Sequence, residues 1–175
     1  MIVLEIDGVI ANYRDELRFR LNAAGFHADN VCELDNCDFS EVYPDIPSGG
    51  LDLFLNDPLI VKNAKSFEDA WYWVNHFSSS YDIMFLTGRD ISLTSPTWDW
   101  FREWDIPADF IVFQEDKIKF LYEILPTVYV DDDPEVISQA ISVGVNAYLY
   151  NRPYNQEHSV PEGRRINSLW EIELP

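Results

Sequence analysis

Positive charge is what this sequence has least of. Twelve Lys and Arg stand against 31 Asp and Glu, a formal net charge of −19. Such a surface repels nucleic-acid phosphates and anionic membrane and attracts cations or basic proteins, so nucleic-acid binding is not expected. Cysteine is nearly absent: Cys32 and Cys37 stand without nearby His, which does not make a zinc site. They are expected to stay reduced in a cytoplasmic setting, with a local disulfide as the alternative. The three histidines, His27, His76 and His158, show no ligand spacing. No apolar run is long enough to cross a bilayer. The N-terminal apolar run has no basic flank and is broken at Glu5, unlike a signal peptide. The expectation is a cytoplasmic protein with no membrane partner. Internal repeats and low-complexity stretches are also missing.

Apolar and aromatic residues are plentiful. Hydrophobic residues make up 47% and aromatics 15% of 175 residues, with six Trp, nine Tyr and eleven Phe. That is enough to bury the core of one domain, with room for a small insertion. Short apolar runs at 2–6, 82–87, 109–113, 127–131 and 146–150 read as strands. Helical patterns alternate with them at 67–78, 96–104, 117–124 and 134–143. In the first of these Phe67, Ala70, Trp71, Val74 and Phe77 fall at helical spacing. Pro96 and Pro134 suit first turns, and Gly144 follows the end of the last helix. This alternation predicts an α/β fold, a parallel sheet flanked by helices. Residues 12–66 break the pattern. A helix over 13–24, with Leu17, Leu21 and Ala24 on one face, gives way to an acidic, turn-rich stretch from Asp29 to Asp57. We expect a core of residues 1–11 and 67–175, with 12–66 as a small cap inserted after the first strand. The cap would overhang the C-terminal edge of the sheet, where open α/β sheets bind ligands.

Four chemical signals fall at the C-terminal ends of predicted strands. The first is Glu5-Ile6-Asp7-Gly8. The second is Thr87-Gly88-Arg89, a hydroxyl and a glycine turn that can offer an oxygen and backbone N–H groups to a phosphate. The third is Lys117, a point charge for a bound phosphate. The fourth is Asp131-Asp132-Asp133, carboxylates that repel one another unless a cation or protons intervene. Singly each has a plain alternative: Asp133 before Pro134 reads equally as a helix cap, and Lys117 as a solvated surface group. The tryptophans Trp71, Trp73, Trp98, Trp100 and Trp104 read as packing residues before they read as base-stacking ones.

In that order, these segments resemble the motifs of the haloacid dehalogenase (HAD) superfamily of phosphotransferases. The core at 1–11 and 81–150 carries the resemblance. Within the superfamily it is similar to the 5′(3′)-deoxyribonucleotidase-like group. There Asp-Gly-Val leads into a small helical cap, and the last strand runs into a tail like Arg152-Pro153-Tyr154-Asn155. The resemblance implies an Mg²⁺-dependent phosphomonoesterase of 5′-nucleotidase type whose partner is a small phosphorylated metabolite, a nucleotide. It implies that Asp7 is the acid/base, that Thr87, Gly88, Arg89 and Lys117 bind the phosphate, and that Glu5, Asp7, Asp131 and Asp132 serve the metal. One departure stands out: the family's nucleophilic Asp is Glu5 here, so reduced turnover is expected. The alternative is an inactive protein of the same fold that binds a nucleotide or phosphate or, through its acidic surface, a basic protein.

Overall fold

The computed structural model describes residues 1–27, 42–47 and 49–174, so Cys32, Cys37 and the first part of the acidic stretch, 29–41, lie outside the described residues. Strand β1 (Ile2–Glu5) is buried along its whole length. Its side chains alternate between two cores, as the two-residue period of a strand requires. Ile2 and Leu4 join one cluster, and Val3 joins the other with Leu86, Tyr129 and Leu149. A strand covered on both faces has no polar positions, which is why these runs read as continuous apolar segments.

Six strands form the sheet, in the order β5-β4-β1-β6-β7-β8. These are β4 (Ile83–Thr87), β5 (Phe110–Phe113), β6 (Val128–Asp131), β7 (Ala147–Tyr150) and β8 (Arg165–Ile166) about β1. Every pairing is parallel, with Ile2 opposite both Ile83 and Val128. Helices α4 (Glu68–Phe77) and α5 (Thr94–Glu103) cover one face through Trp73, Val74, Trp100 and Phe101. Helices α6 (Lys117–Ile124) and α7 (Pro134–Ser142) cover the other through Leu121, Ile137 and Ala140. The protein is therefore an α/β fold with a parallel sheet between helices, as the alternation of patterns implied.

Differences from expectation are local. Helix α5 begins at Thr94, two residues before Pro96. Pro96 still sits in the first turn, where a missing N–H costs nothing. Strand β8 was not expected: two residues, Arg165 and Ile166, carry no readable pattern. Two further short strands, β2 (Ala11–Asn12) and β3 (Lys65–Ser66), pair antiparallel. They tie together the two ends of the excursion that holds α1 (Tyr13–Ala23), α2 (Gly50–Leu55) and α3 (Pro58–Asn63).

Trp100 fastens this excursion to the core. Its ring is buried, and its indole N–H donates to the Ala64 carbonyl at 2.7 Å. Replacing it by Phe leaves that carbonyl unpaired and a gap beside it. We expect Trp100→Phe to lower unfolding free energy by about 2 kcal/mol, read by urea denaturation; an unchanged midpoint would show that the bond contributes nothing.

Candidate active site

Five of the sequence-selected residues converge at the C-terminal edge of the sheet. Glu5 ends β1, Thr87 ends β4 and Asp131 ends β6; Asp132 follows β6 directly, and Asp7 stands just past β1 after Ile6. Together with Lys117, at the start of α6, they line one cleft of about 790 Å³. Leu55 and Asn56 from the excursion and Ile91 and Phe113 from the core add polar and apolar wall to its mouth.

Glu5 and Asp131 are nearly inaccessible, and both face Lys117. The ammonium is ion-paired with the Glu5 carboxylate and lies 2.9 Å from Asp131 Oδ2. Asp131 also accepts from the Tyr129 hydroxyl and, through Oδ1, from the Asp133 N–H at 3.0 Å. Burial pushes the Glu5 carboxyl up to about 7, against the pull of Lys117 and with help from the nearby Asp131 and Asp7 charges. Asp132 is raised well above the carboxylate range by burial first and Asp131 second. Lys117 is raised despite its burial, because Asp131 and Glu5 hold its charge.

Asp7 is held differently from what the resemblance implied. Both its oxygens accept from Arg89, Nε to Oδ2 at 2.8 Å and Nη2 to Oδ1 at 2.6 Å. The Arg89 guanidinium, 4% exposed, also reaches the Thr97 hydroxyl at 2.9 Å and lies 5.5 Å from the Tyr13 ring. Arg89 thus lines the cleft as the partner of a carboxylate. Thr87 is fully buried, and its hydroxyl accepts from the Arg89 N–H at 3.3 Å. Gly88 beside it has ordinary clearance from Lys117. Asp133 caps α7 by accepting from the Glu135 and Val136 N–H groups, the plain alternative weighed for it.

Gly8 is the one glycine on which the site depends. It has φ +80°, and a Cβ there would lie 2.0 Å from Asp132 Oδ2. The Asp132 carboxylate fills the place a side chain would take. It accepts from the Tyr154 hydroxyl, and its backbone carbonyl accepts from Asn155 Nδ2 at 2.8 Å. No local pattern in the sequence marks Tyr129, Thr97 or Tyr13 as part of the site, and the tail motif that contains Tyr154 and Asn155 does not show what they contact. The signal available for two of them was position, in a tail directly after the last long strand.

Two buried carboxylates, Glu5 and Asp131, share the Lys117 ammonium, and the half-buried Asp132 stands beside them, so the donor types and the surplus negative charge suit a hard cation such as Mg²⁺. Their arrangement does not close around an ion. Among the described residues no three of His, Cys, Asp and Glu stand together as a ligand group, since Glu5 and Asp131 turn to Lys117 and Asp132 to Tyr154.

No family model matches the chain. A proposed nucleotidase of Bacillus cereus is 30% identical over 97 residues, covering 53% of this chain. The match spans 50% of that protein's length. Among solved structures, a HAD-like hydrolase of Streptococcus pneumoniae superposes with a TM-score of 0.61 at 15% identity, covering 86% of this chain and 83% of its own. A HAD-family hydrolase of Deinococcus radiodurans, with bound phosphate and sodium, gives 0.56 at 14% identity over 93% and 83%. A dehalogenase gives 0.61 at 15% over 97% and 93%. The fold is HAD-like. In that fold the sheet edge carrying Glu5, Asp7, Thr87, Lys117 and Asp131 is the edge at which open α/β sheets bind ligands.

Proposed function

We propose that this protein is a phosphohydrolase of the HAD superfamily, acting on a small phosphomonoester of the nucleoside monophosphate type, with turnover limited by Glu5. The observation that carries the reading is the meeting of two carboxylates, Glu5 and Asp7, with the buried Thr87 and Lys117 in one cleft. Lys117 and the backbone after Thr87 would bind the phosphate oxygens. Attack by the Glu5 carboxylate would form a glutamyl phosphate as the ester P–O bond breaks, and Asp7 would protonate the leaving alkoxide. Asp7 would then take a proton from the water that releases phosphate and restores Glu5. Glu5, Asp131 and Asp132 are the side chains that would hold Mg²⁺, which when bound supplies charge to the phosphoryl oxygens. Residues 12–66 would act as the cap and set the leaving group.

Two features support the slow rate. Each carboxylate on the reaction path is engaged by a cation of the site itself, Glu5 by Lys117 and Asp7 by Arg89. Proton transfer by Asp7 requires one of its two bonds to Arg89 to open. The same features favour the second reading, a protein that binds a phosphorylated ligand without turning it over.

Phosphate release from nucleoside monophosphates and an aryl phosphate, with and without Mg²⁺, tests the proposal. Mg²⁺-dependent release that falls at least about 10²-fold in Asp7→Asn supports it. Tight ligand binding with no release from the wild type would replace it with the second reading.

A further inference from the structure

The loops that carry the acidic groups follow β1 and β6, which pair with each other as far as Leu4 and Val130. Beyond that ladder, the four residues Arg152–Asn155, distant in sequence from both, contact each loop. Arg152 Nε donates to the Gly8 carbonyl at 2.5 Å. Its guanidinium carbon lies over the rings of Phe67 and Tyr150, 3.6 and 4.3 Å from their centres. Two residues on, the Tyr154 hydroxyl donates to the Asp132 carboxylate. Asn155 is fully buried, and its amide nitrogen donates to the Asp132 carbonyl at 2.8 Å and the Tyr150 carbonyl at 2.9 Å. The Asn155 side-chain oxygen closes the turn by accepting from the Arg152 N–H at 2.9 Å and from Arg165 at 3.0 Å. One turn therefore grips Gly8 with one end and Asp132 with the other, and the Asp132 carboxylate occupies the place a Cβ on Gly8 would take.

We propose that Arg152, Tyr154 and Asn155 are positioning residues: they set the spacing between the loop of Glu5 and Asp7 and the loop of Asp131 and Asp132, and so fix the Asp132 carboxylate for a bound cation. The proposal deepens the phosphohydrolase reading and rests on it for the cation. The physical basis is that a carboxylate with a fixed hydrogen-bond donor behind it is oriented before the ion arrives, and loss of such a partner weakens metal binding by about 10- to 100-fold. A tyrosine serves here because its ring can pack, against Arg14 at 4.2 Å from the ring centre, while its hydroxyl reaches the buried acid.

Tyr154→Phe removes the hydroxyl and keeps the ring. Two measurements on the full chain decide the matter, with Tyr148→Phe as a control, a tyrosine outside the cleft that stacks near Arg164. Calorimetric titration with Mg²⁺ alone is expected to give a Kd raised about 10- to 100-fold in Tyr154→Phe and unchanged in Tyr148→Phe. Amide hydrogen exchange of the metal-free proteins is expected to quicken in segments 5–9 and 131–134 of Tyr154→Phe, with no change in α7. Unchanged exchange in those segments overturns the positioning role. So does an unchanged Kd in a protein that binds Mg²⁺. If the wild type takes up no Mg²⁺, the metal-dependent reading of the site fails, and exchange alone then upholds or overturns the grip of the turn on the two loops.

Discussion

Glu5→Asp is expected to release phosphate about 10²-fold faster than the wild type on the same substrate. The argument is one of reach. Glutamate is longer by one C–C bond, roughly 1.5 Å, and phosphoryl transfer depends on positioning more than on any other contribution of the protein. Glu5 has no room to absorb that length by swinging outward: it is 4% exposed at the end of a fully buried strand. Its carboxylate is instead pressed against Lys117, the cation the phosphate needs. A shorter side chain draws back from Lys117 and opens space above it for the phosphoryl group. Without a metal, burial also pushes the Glu5 carboxyl up to about 7, so its charge depends on the cations that meet it. The measurement is kcat/KM for phosphate release, wild type and Glu5→Asp side by side, in Mg²⁺ from pH 6 to 8.5. A wild type as fast as Glu5→Asp would mean that the site has adapted to the longer acid, and the claim of a slowed enzyme would be abandoned.

The parts of this molecule that could be read from sequence are those in which one residue type has one physical use. Buried parallel strands must be apolar throughout, so 2–6, 82–87, 127–131 and 146–150 each contain an observed strand, and 109–113 holds the less buried edge strand β5. Side chains just past such strands must stand at one edge of the sheet, so Glu5, Asp7, Thr87, Asp131 and Asp132 fall together. What could not be read is pairing. Arg89 has the same chemistry whether it faces a phosphate or Asp7, and only the fold brings it within 2.6 Å of that carboxylate. Tyr154 and Asn155 act across more than 20 positions of sequence, a distance over which no local pattern reports contact. Strand β8 and the β2–β3 pair are two residues each, too short for a period to show.

Lys117→Met should cost the fold more than any other single change at the cleft, and the cost should depend on pH. Among the described residues Lys117 is the cation ion-paired with both Glu5 and Asp131, and Asp132 is the next residue of the same loop. Methionine keeps most of the stem but leaves the buried acids uncompensated, which costs about 4 kcal/mol and lowers the melting temperature of a chain this size by about 10 °C. The sign of the pH dependence follows from the carboxyls. Glu5 stands at about 7 in the folded protein, above its ordinary 4.5, and Asp132 is raised too. A carboxyl raised in this way favours the fold most when protonated. Its contribution is complete below the unfolded value and is lost as pH rises through the folded one. Without Lys117 the folded values climb further, since its charge was the influence lowering Glu5. The gap between variant and wild type should therefore be widest near pH 8 and narrow towards pH 5, where protons do part of the work of the ammonium. Taking the difference between the two proteins cancels the general effect of a −19 chain becoming less charged. Thermal melts of both from pH 5 to 8 read the gap directly. A gap of equal size at every pH would show that Lys117 holds the site by packing its stem, and that the carboxylates around it are not in electrostatic want of a cation.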